Sequence, residues 1–374
     1  MTQIPSVMRA VVLTGHGDMD KLEYHDNWPT PIPSACDVLI QVGACGLNNT
    51  DVNSRTAWYS KGVSEATTGG TFESAESDDA SWGGSAIQFP RIQGADICGR
   101  VRAIGEKVPK TLLDKRVMVE TWIRDWSDPD NLNKCGYLGS ECDGGFADFL
   151  KVDYRQVHTI QSDLTDVEIA TFATSWLTAE NMLNQAQVNA EDTVLITGAS
   201  GGVGSALIQL ANRRGATTIG MASDSKHDRL KQFSPDALIG RAPDQLKSEL
   251  RNASGRESVT VVLDVVGGDY WPKLISVLSR NGRYVCSGAI AGPLVNFDLR
   301  TMYLNDLTFF GCTVVPRGTF ANLVDYIQNG EVSPILAAVY PLKKLKSAQQ
   351  ALIDKKHVGN IVISLDSQPD GNCE

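Results

Sequence analysis

The sequence predicts an α/β fold, a doubly wound parallel sheet with a second, β-rich domain beside it. Three observations carry that reading. From about residue 160, short β-branched runs alternate with amphipathic helical stretches, the pattern of a parallel sheet covered on both faces. A glycine-rich turn, Gly198 to Gly204, stands between one such strand and its helix. The first 160 residues are instead rich in short strands bounded by Gly and Pro.

In chain order, 8–13 and 37–42 read as strands. The stretch from Ser64 to Ser85 is polar and too poor in apolar side chains to form a core, so a long, partly mobile surface loop is expected. Short strands are expected again at 99–104, 116–120 and 146–152. Strand 193–197 then leads into a helix at 203–214, because Val203, Ala206, Leu207, Leu210 and Ala211 share one face. Strand 217–221, helix 227–233, strand 259–264, helix 270–279 and strand 283–286 continue the alternation. A helix at 320–329 and short strands follow, and the polar tail from Ser367 is expected to be disordered.

At 374 residues the chain has room for two or three domains. With 42% hydrophobic and 21% charged residues it can bury a core without help from disulfides or metal. A net charge of −10 repels phosphate backbones, which argues against nucleic acid as a partner but leaves room for one local basic pocket. No apolar run is long enough to span a membrane. The start of the chain lacks the basic head and apolar run of a signal peptide, so a cytoplasmic, reducing setting is expected and disulfides are not. The eight cysteines, Cys36, Cys45, Cys98, Cys135, Cys142, Cys286, Cys312 and Cys373, are then metal ligands or free thiols.

The turn Gly198-Ala199-Ser200-Gly201-Gly202-Val203-Gly204 has the strand–turn–helix setting of a dinucleotide site. Gly201 would let the backbone approach a pyrophosphate and Gly204 would let helix and strand pack closely, while free N–H groups at the helix start face the phosphates. The tip of the next strand selects between cofactors. An NAD site places a carboxylate there; here Ala222 and Ser223 stand at the tip, with Lys226, Arg229 and Arg241 close by in sequence. Cations without a carboxylate suit the 2′-phosphate of NADP, so NADPH is the expected cofactor.

With these features in place, the chain resembles the medium-chain dehydrogenase/reductase superfamily, and within it the zinc-independent quinone oxidoreductase and enoyl reductase branch. The segments that carry the resemblance are Gly43-Ala-Cys-Gly-Leu-Asn-Asn-Thr-Asp51, Pro90-Arg-Ile-Gln-Gly-Ala-Asp-Ile-Cys-Gly-Arg-Val101, Asp143-Gly-Gly-Phe-Ala-Asp-Phe149, the glycine turn, and Asp264-Val-Val-Gly-Gly268. The resemblance implies a GroES-like catalytic domain from 1–161 and 313–374, enclosing a Rossmann domain at 162–312. It also implies a homodimer or homotetramer acting on a small molecule.

Zinc-type relatives ligate their metal with a Cys, a His and a later Cys or acid. Cys45 matches the first, but Ala95 and Thr174 stand at the other two positions, and a zinc site needs three protein ligands. No catalytic metal is therefore expected, nor a structural zinc, since only Cys135 and Cys142 fall in its stretch. The resemblance assigns Asn48, Asp51 and Tyr59 to the catalytic site, with Tyr59 as proton source. It places Thr178, Gly288, Ala289, Cys312 and Thr313 along the cofactor. His25, His158, His227 and His357 match no motif and are expected at the surface. Trp58, Trp82, Trp122, Trp126 and Trp176 are expected mainly in the core, with a pocket lining as the alternative. The 64–85 insert, entering just after Tyr59, is expected to be a lid or a subunit contact. The implied reaction is hydride transfer to an activated alkene, quinone or related carbonyl. The alternatives are an alcohol or aldehyde dehydrogenase with an irregular metal site, or a non-catalytic NADPH-binding protein.

Overall fold

The structure, a computed structural model, describes residues 4–81, 86–242 and 244–365. The first part carries β1 (Val7–Leu13), β2 (Leu22–Pro29), β3 (Asp37–Leu47), β4 (Arg91–Ile92), β5 (Asp96–Ile104), β6 (Arg116–Val119), β7 (Trp122–Ile123), β8 (Gly136–Tyr137), β9 (Phe149–Asp153) and β10 (Val157–Thr159). The second carries β11 (Thr193–Ile196), β12 (Thr217–Met221), β13 (Ala237–Ile239), β14 (Val259–Asp264), β15 (Leu278–Cys286) and β16 (Thr308–Gly311). β17 (Leu336–Pro341) and β18 (Asn360–Ser364) return to the first part.

β11 to β16 form a parallel sheet in the order β13-β12-β11-β14-β15-β16. All four residues of β11 are buried, as a strand covered on both faces requires. The strand order reverses between β11 and β14, which opens a crevice at their carboxyl ends. The helix Gly202–Arg213 follows β11 and buries Ala206, Leu207, Leu210 and Ala211, the face its spacing predicts. The helix expected at 270–279 runs only Trp271–Ser276, because Leu278 already pairs with Val259 and begins a nine-residue strand. The strand expected from Phe146 starts at Phe149, because the Phe146 N–H is taken by the Gln93 carbonyl at 3.0 Å. The helix Leu246–Ser254, with only Leu246 and Leu250 buried, had too faint an apolar face to be read.

The β-rich part centres on the sheet β10-β6-β5-β3-β18-β17, with β9 also on β3. β18 runs antiparallel to β3, with Ile363 opposite Cys45 and Ile361 opposite Leu47. Two distant stretches of chain thus build one sheet beside the cleft. The only helical segment among the insert's described residues is a short 3-10 helix, Ser77–Asp79. It is stitched down rather than free: Thr71 donates twice to Asp18, and the buried Arg55 donates to the Gly69 carbonyl at 3.2 Å. Trp82 and the tail from Ser367 lie outside the described residues.

Trp122 and Trp176 are core residues, and Trp126 lies under the Arg155 guanidinium at 4.5 Å. The histidines are less exposed than expected. His158 packs on Phe320 with ring centroids 4.9 Å apart, and His25, His227 and His357 are half-buried. The seven described cysteines form no disulfide.

Candidate active site

A cavity of about 630 Å³ runs between the β-rich part and the carboxyl ends of the parallel strands. The glycine turn forms its floor. Gly198 holds φ at +57°, and a Cβ on Gly204 would lie 2.3 Å from the Gly198 carbonyl oxygen, so both positions demand glycine. Behind the turn, the buried Asp264 carboxylate accepts from the Thr197 hydroxyl at 2.5 Å, the Tyr284 hydroxyl at 2.8 Å and the Val266 N–H at 2.8 Å. These bonds fix the Val265–Gly267 wall of the cavity.

At one end of the crevice stand Ser223, Lys226, Arg241 and Lys355. Lys226 Nζ donates to Ser200 Oγ at 3.3 Å and to the Lys355 carbonyl at 2.7 Å. Burial, then the charges of Arg229, Arg241 and Lys355, lower the Lys226 pKa. Neighbouring acids are engaged elsewhere: Asp224 lies 3.8 Å from His227, and Asp228 pairs with Lys231 at 2.7 Å. Among the described residues none of these four cations has a carboxylate partner, which leaves a basic pocket suited to an anion.

At the other end the helix Asn49–Arg55 presents Asn48, its N-cap, and the following Trp58 and Tyr59. The Tyr59 hydroxyl donates to Thr50 Oγ1 at 3.3 Å, and burial raises its pKa. Trp58 and Tyr59 meet edge to face at 5.6 Å. The Asn48 side-chain amide nitrogen is buried and finds no partner at full hydrogen-bond distance among the described residues, but it lies close enough to the Asp96 carboxylate to lower that group's pKa. Beneath this floor, the Thr174 N–H donates to Asp96 Oδ1 at 2.9 Å and the Thr174 hydroxyl makes a short bond to the same oxygen. The Tyr137 hydroxyl lies 2.7 Å from Thr174 Oγ1. Burial pushes the Asp96 carboxyl up to about 6 and the Cys45 thiol well above its ordinary range.

The cavity brings together Asn48, Tyr59, Thr178, Ser200, Gly201, Gly202, Val203, Gly204, Ser223, Lys226, Arg241, Gly288 and Ala289. Five other expected residues are not in its lining. Asp51 is buried and accepts the N–H groups of Asn48 at 2.8 Å and Gly94 at 3.2 Å, so it braces the backbone under the site. Ala199 is buried, its N–H donating to the Met221 carbonyl at 3.1 Å. Arg229 is exposed and reaches the Val358 carbonyl at 3.5 Å. Cys312 is buried against Cys286, and Thr313 is exposed.

Sequence reasoning missed Lys355, His357, Gly359 and Asn360, which line the cavity from the returning segment. The Gly359 N–H donates to the Ser200 carbonyl at 3.0 Å. Asn360 donates to Ser175 Oγ at 3.0 Å, and its Oδ1 is buried without a partner among the described residues. Their one local signal was the Lys-Lys-His run just before a Gly. Thr67, also missed, bridges the cleft: its N–H and hydroxyl both donate to the Ile290 carbonyl, at 3.0 and 3.2 Å.

Two family models match the chain. Residues 34–162 match the alcohol dehydrogenase GroES-like domain and residues 202–329 the zinc-binding dehydrogenase domain. A solved structure, a provisionally assigned alcohol dehydrogenase from Sinorhizobium meliloti 1021, is 40% identical. It superposes with a TM-score of 0.88 over 98% of this chain and 99% of its own. An NAD-dependent alcohol dehydrogenase of Sulfurisphaera tokodaii is 24% identical, with 95% of this chain and 99% of that protein covered. A quinone oxidoreductase of Lama guanicoe is 23% identical, with 96% and 98% covered. Zinc does not fit the residues at the family's metal position. Ala95 offers no donor atom, the Thr174 hydroxyl is spent on Asp96, and no three His, Cys, Asp or Glu side chains converge among the described residues. A dinucleotide does fit, since glycine turn, basic pocket and orphaned Asn360 oxygen line one cavity. Fold, glycine turn and full-length likeness agree, and the chain belongs to the medium-chain dehydrogenase/reductase superfamily of oxidoreductases.

Proposed function

We propose that the protein is an NADPH-dependent, zinc-independent reductase of an activated alkene, quinone or related carbonyl. The carrying observation is the single cavity that joins a basic pocket to the Asn48 amide and the Tyr59 hydroxyl. Lys226 and Arg241, with Lys355, would hold the 2′-phosphate. The helix start at Gly202 would face the pyrophosphate. A bound reduced nicotinamide supplies hydride to the substrate's β-carbon, the carbonyl oxygen gains the displaced electron pair, and a proton completes the α-carbon or the oxygen. Asn48 Nδ2 would donate to that oxygen as its charge grows. Tyr59 would carry the proton on its hydroxyl, with Thr50 Oγ1 beside it.

The test is cofactor titration and steady-state turnover with enones, quinones, aldehydes and alcohols. NADPH should bind at least about 30-fold tighter than NADH, and Lys226→Ala should erase most of that difference. Equal affinity for the two cofactors refutes the basic-pocket assignment, and alcohol oxidation as the only activity refutes the reductase reading.

The chain is further proposed to act as a homodimer. β16 is the outer strand of the parallel sheet, and Leu294, Leu299, Tyr303 and Leu304, just before it, are 56–72% exposed.

A further inference from the structure

We infer that the insert after Tyr59 is a specificity wall, which admits uncharged, apolar substrates and turns away anionic ones such as acyl-coenzyme A thioesters. The inference rests on the proposed reductase activity and concerns its substrate class.

The two ends of the cavity differ in charge. Every Lys, Arg and His in its lining belongs to the group Lys226, Arg241, Lys355 and His357. Lys226 follows β12 and Arg241 follows β13, whereas Ile290, which Thr67 grips, follows β15. Three strand spacings separate β12 from β15 in the sheet, roughly 14 Å. The basic group therefore stands across the sheet from the end enclosed by Trp58, Tyr59, Ala66, Thr67 and Ile290.

That end is built by the insert itself. Trp58 Nε1 donates to the Glu65 carbonyl at 2.9 Å, which sets the indole against the start of the insert. Ala66 and Thr67 follow as cavity lining, and the paired Thr67 bonds to Ile290 anchor them across the cleft. Arg55 props the segment from behind, but its guanidinium is buried and spent on the Gly17 and Gly69 carbonyls and Gln349 Oε1.

The insert is also one-sided in charge. From Ser64 to Ser85 it carries Glu65, Glu73, Glu76, Asp78 and Asp79 and no Lys or Arg. Lys61, at its start, gives its backbone N–H to Asp79 Oδ2 at 2.7 Å, which places one acid beside a neighbouring cation. An acyl-coenzyme A carries a diphosphate and a further phosphate that need Arg or Lys partners outside the acyl site. This end lines its cavity with aromatic and small uncharged side chains, and the insert that builds it carries acids and no cation, so it pairs with a neutral enone or quinone.

The test compares kcat/KM for a neutral enone (cyclohex-2-enone) and a neutral quinone (1,4-naphthoquinone) with that for crotonyl-coenzyme A, using the full chain and NADPH. The better neutral substrate should exceed crotonyl-coenzyme A by roughly 100-fold. The combined variant E73Q/E76Q/D78N changes only exposed side chains. It should raise kcat/KM for crotonyl-coenzyme A by at least about 5-fold at low salt and leave the neutral substrates unchanged. Equal or better use of crotonyl-coenzyme A by the native chain overturns the inference and leaves the reductase reading standing. No rise in the variant overturns the role of the insert. If no enone, quinone or thioester is reduced, the reductase reading falls and the inference with it.

Discussion

At the scale of single residues, the site depends on groups whose protons are controlled by burial. Burial raises the Tyr59 pKa above its already high ordinary value, so its hydroxyl stays protonated well beyond neutral pH. Tyr59→Phe should lower kcat about 100-fold while cofactor affinity stays within about 2-fold, checked by turnover and fluorescence titration. Asp51 lies outside the cavity, and burial pushes its carboxyl up to about 7. The folded chain thus holds that proton more tightly than the unfolded chain does. This favours the fold in acid, and the gain is lost as pH climbs from the ordinary carboxylate range through about 7. Over that window the native protein should lose stability relative to Asp51→Asn, by at most about 1.4 kcal/mol per pH unit. Parallel melting profiles of the two proteins from pH 4 to 8 would refute it. Which residues surround the cavity was only half legible at this scale. Asn48 and the glycines sit in local motifs, whereas Lys355, His357 and Asn360 owe their place to the pairing of β18 with β3, which no local pattern announces.

Among the elements, the turn between β11 and its helix is the most constrained. A methyl on Gly204 meets backbone on the facing side, so nothing flexible can yield. Gly204→Ala should cost about 1–3 kcal/mol in thermal or denaturant unfolding and weaken cofactor binding at least about 10-fold. An unchanged affinity would show that the turn is not a phosphate site. Elements with strong periodicity were readable: β11, β12, β14 and the helix Gly202–Arg213 stand within a residue of expectation. β13 and β16 were missed, because three or four residues at a sheet margin carry little pattern. The insert was recognised by composition, but its stitching runs through backbone groups and the buried Arg55. A polar stretch does not reveal where its amides will find partners.

For the whole molecule, the parallel sheet ends at β16 beside a run of exposed apolar residues, and a second copy would cover both. Sedimentation or light scattering should give a dimer mass. The double variant L299E/Y303E should shift it to monomer while leaving the fold intact by circular dichroism, and a monomeric native chain would remove the proposal. The net charge of −10 does not describe the cavity, whose one end is lined by Lys226, Arg241 and Lys355, none with a carboxylate partner among the described residues. A global charge sum could neither reveal that pocket nor exclude it.

The bond from Gly359 to Ser200 also has a consequence in time. Gly201 and Gly359 form a parallel bridge across 359 − 201 = 158 residues of chain. At ribosomal speeds of about 5–20 residues per second, the turn leaves the ribosome roughly 8–30 s before the segment that completes it. The nascent chain therefore passes through a stage in which its nucleotide crevice lacks one wall. Lys355, His357 and Asn360 are among the last parts of the described fold to be made, so the binding site closes only after residue 360 has been synthesised.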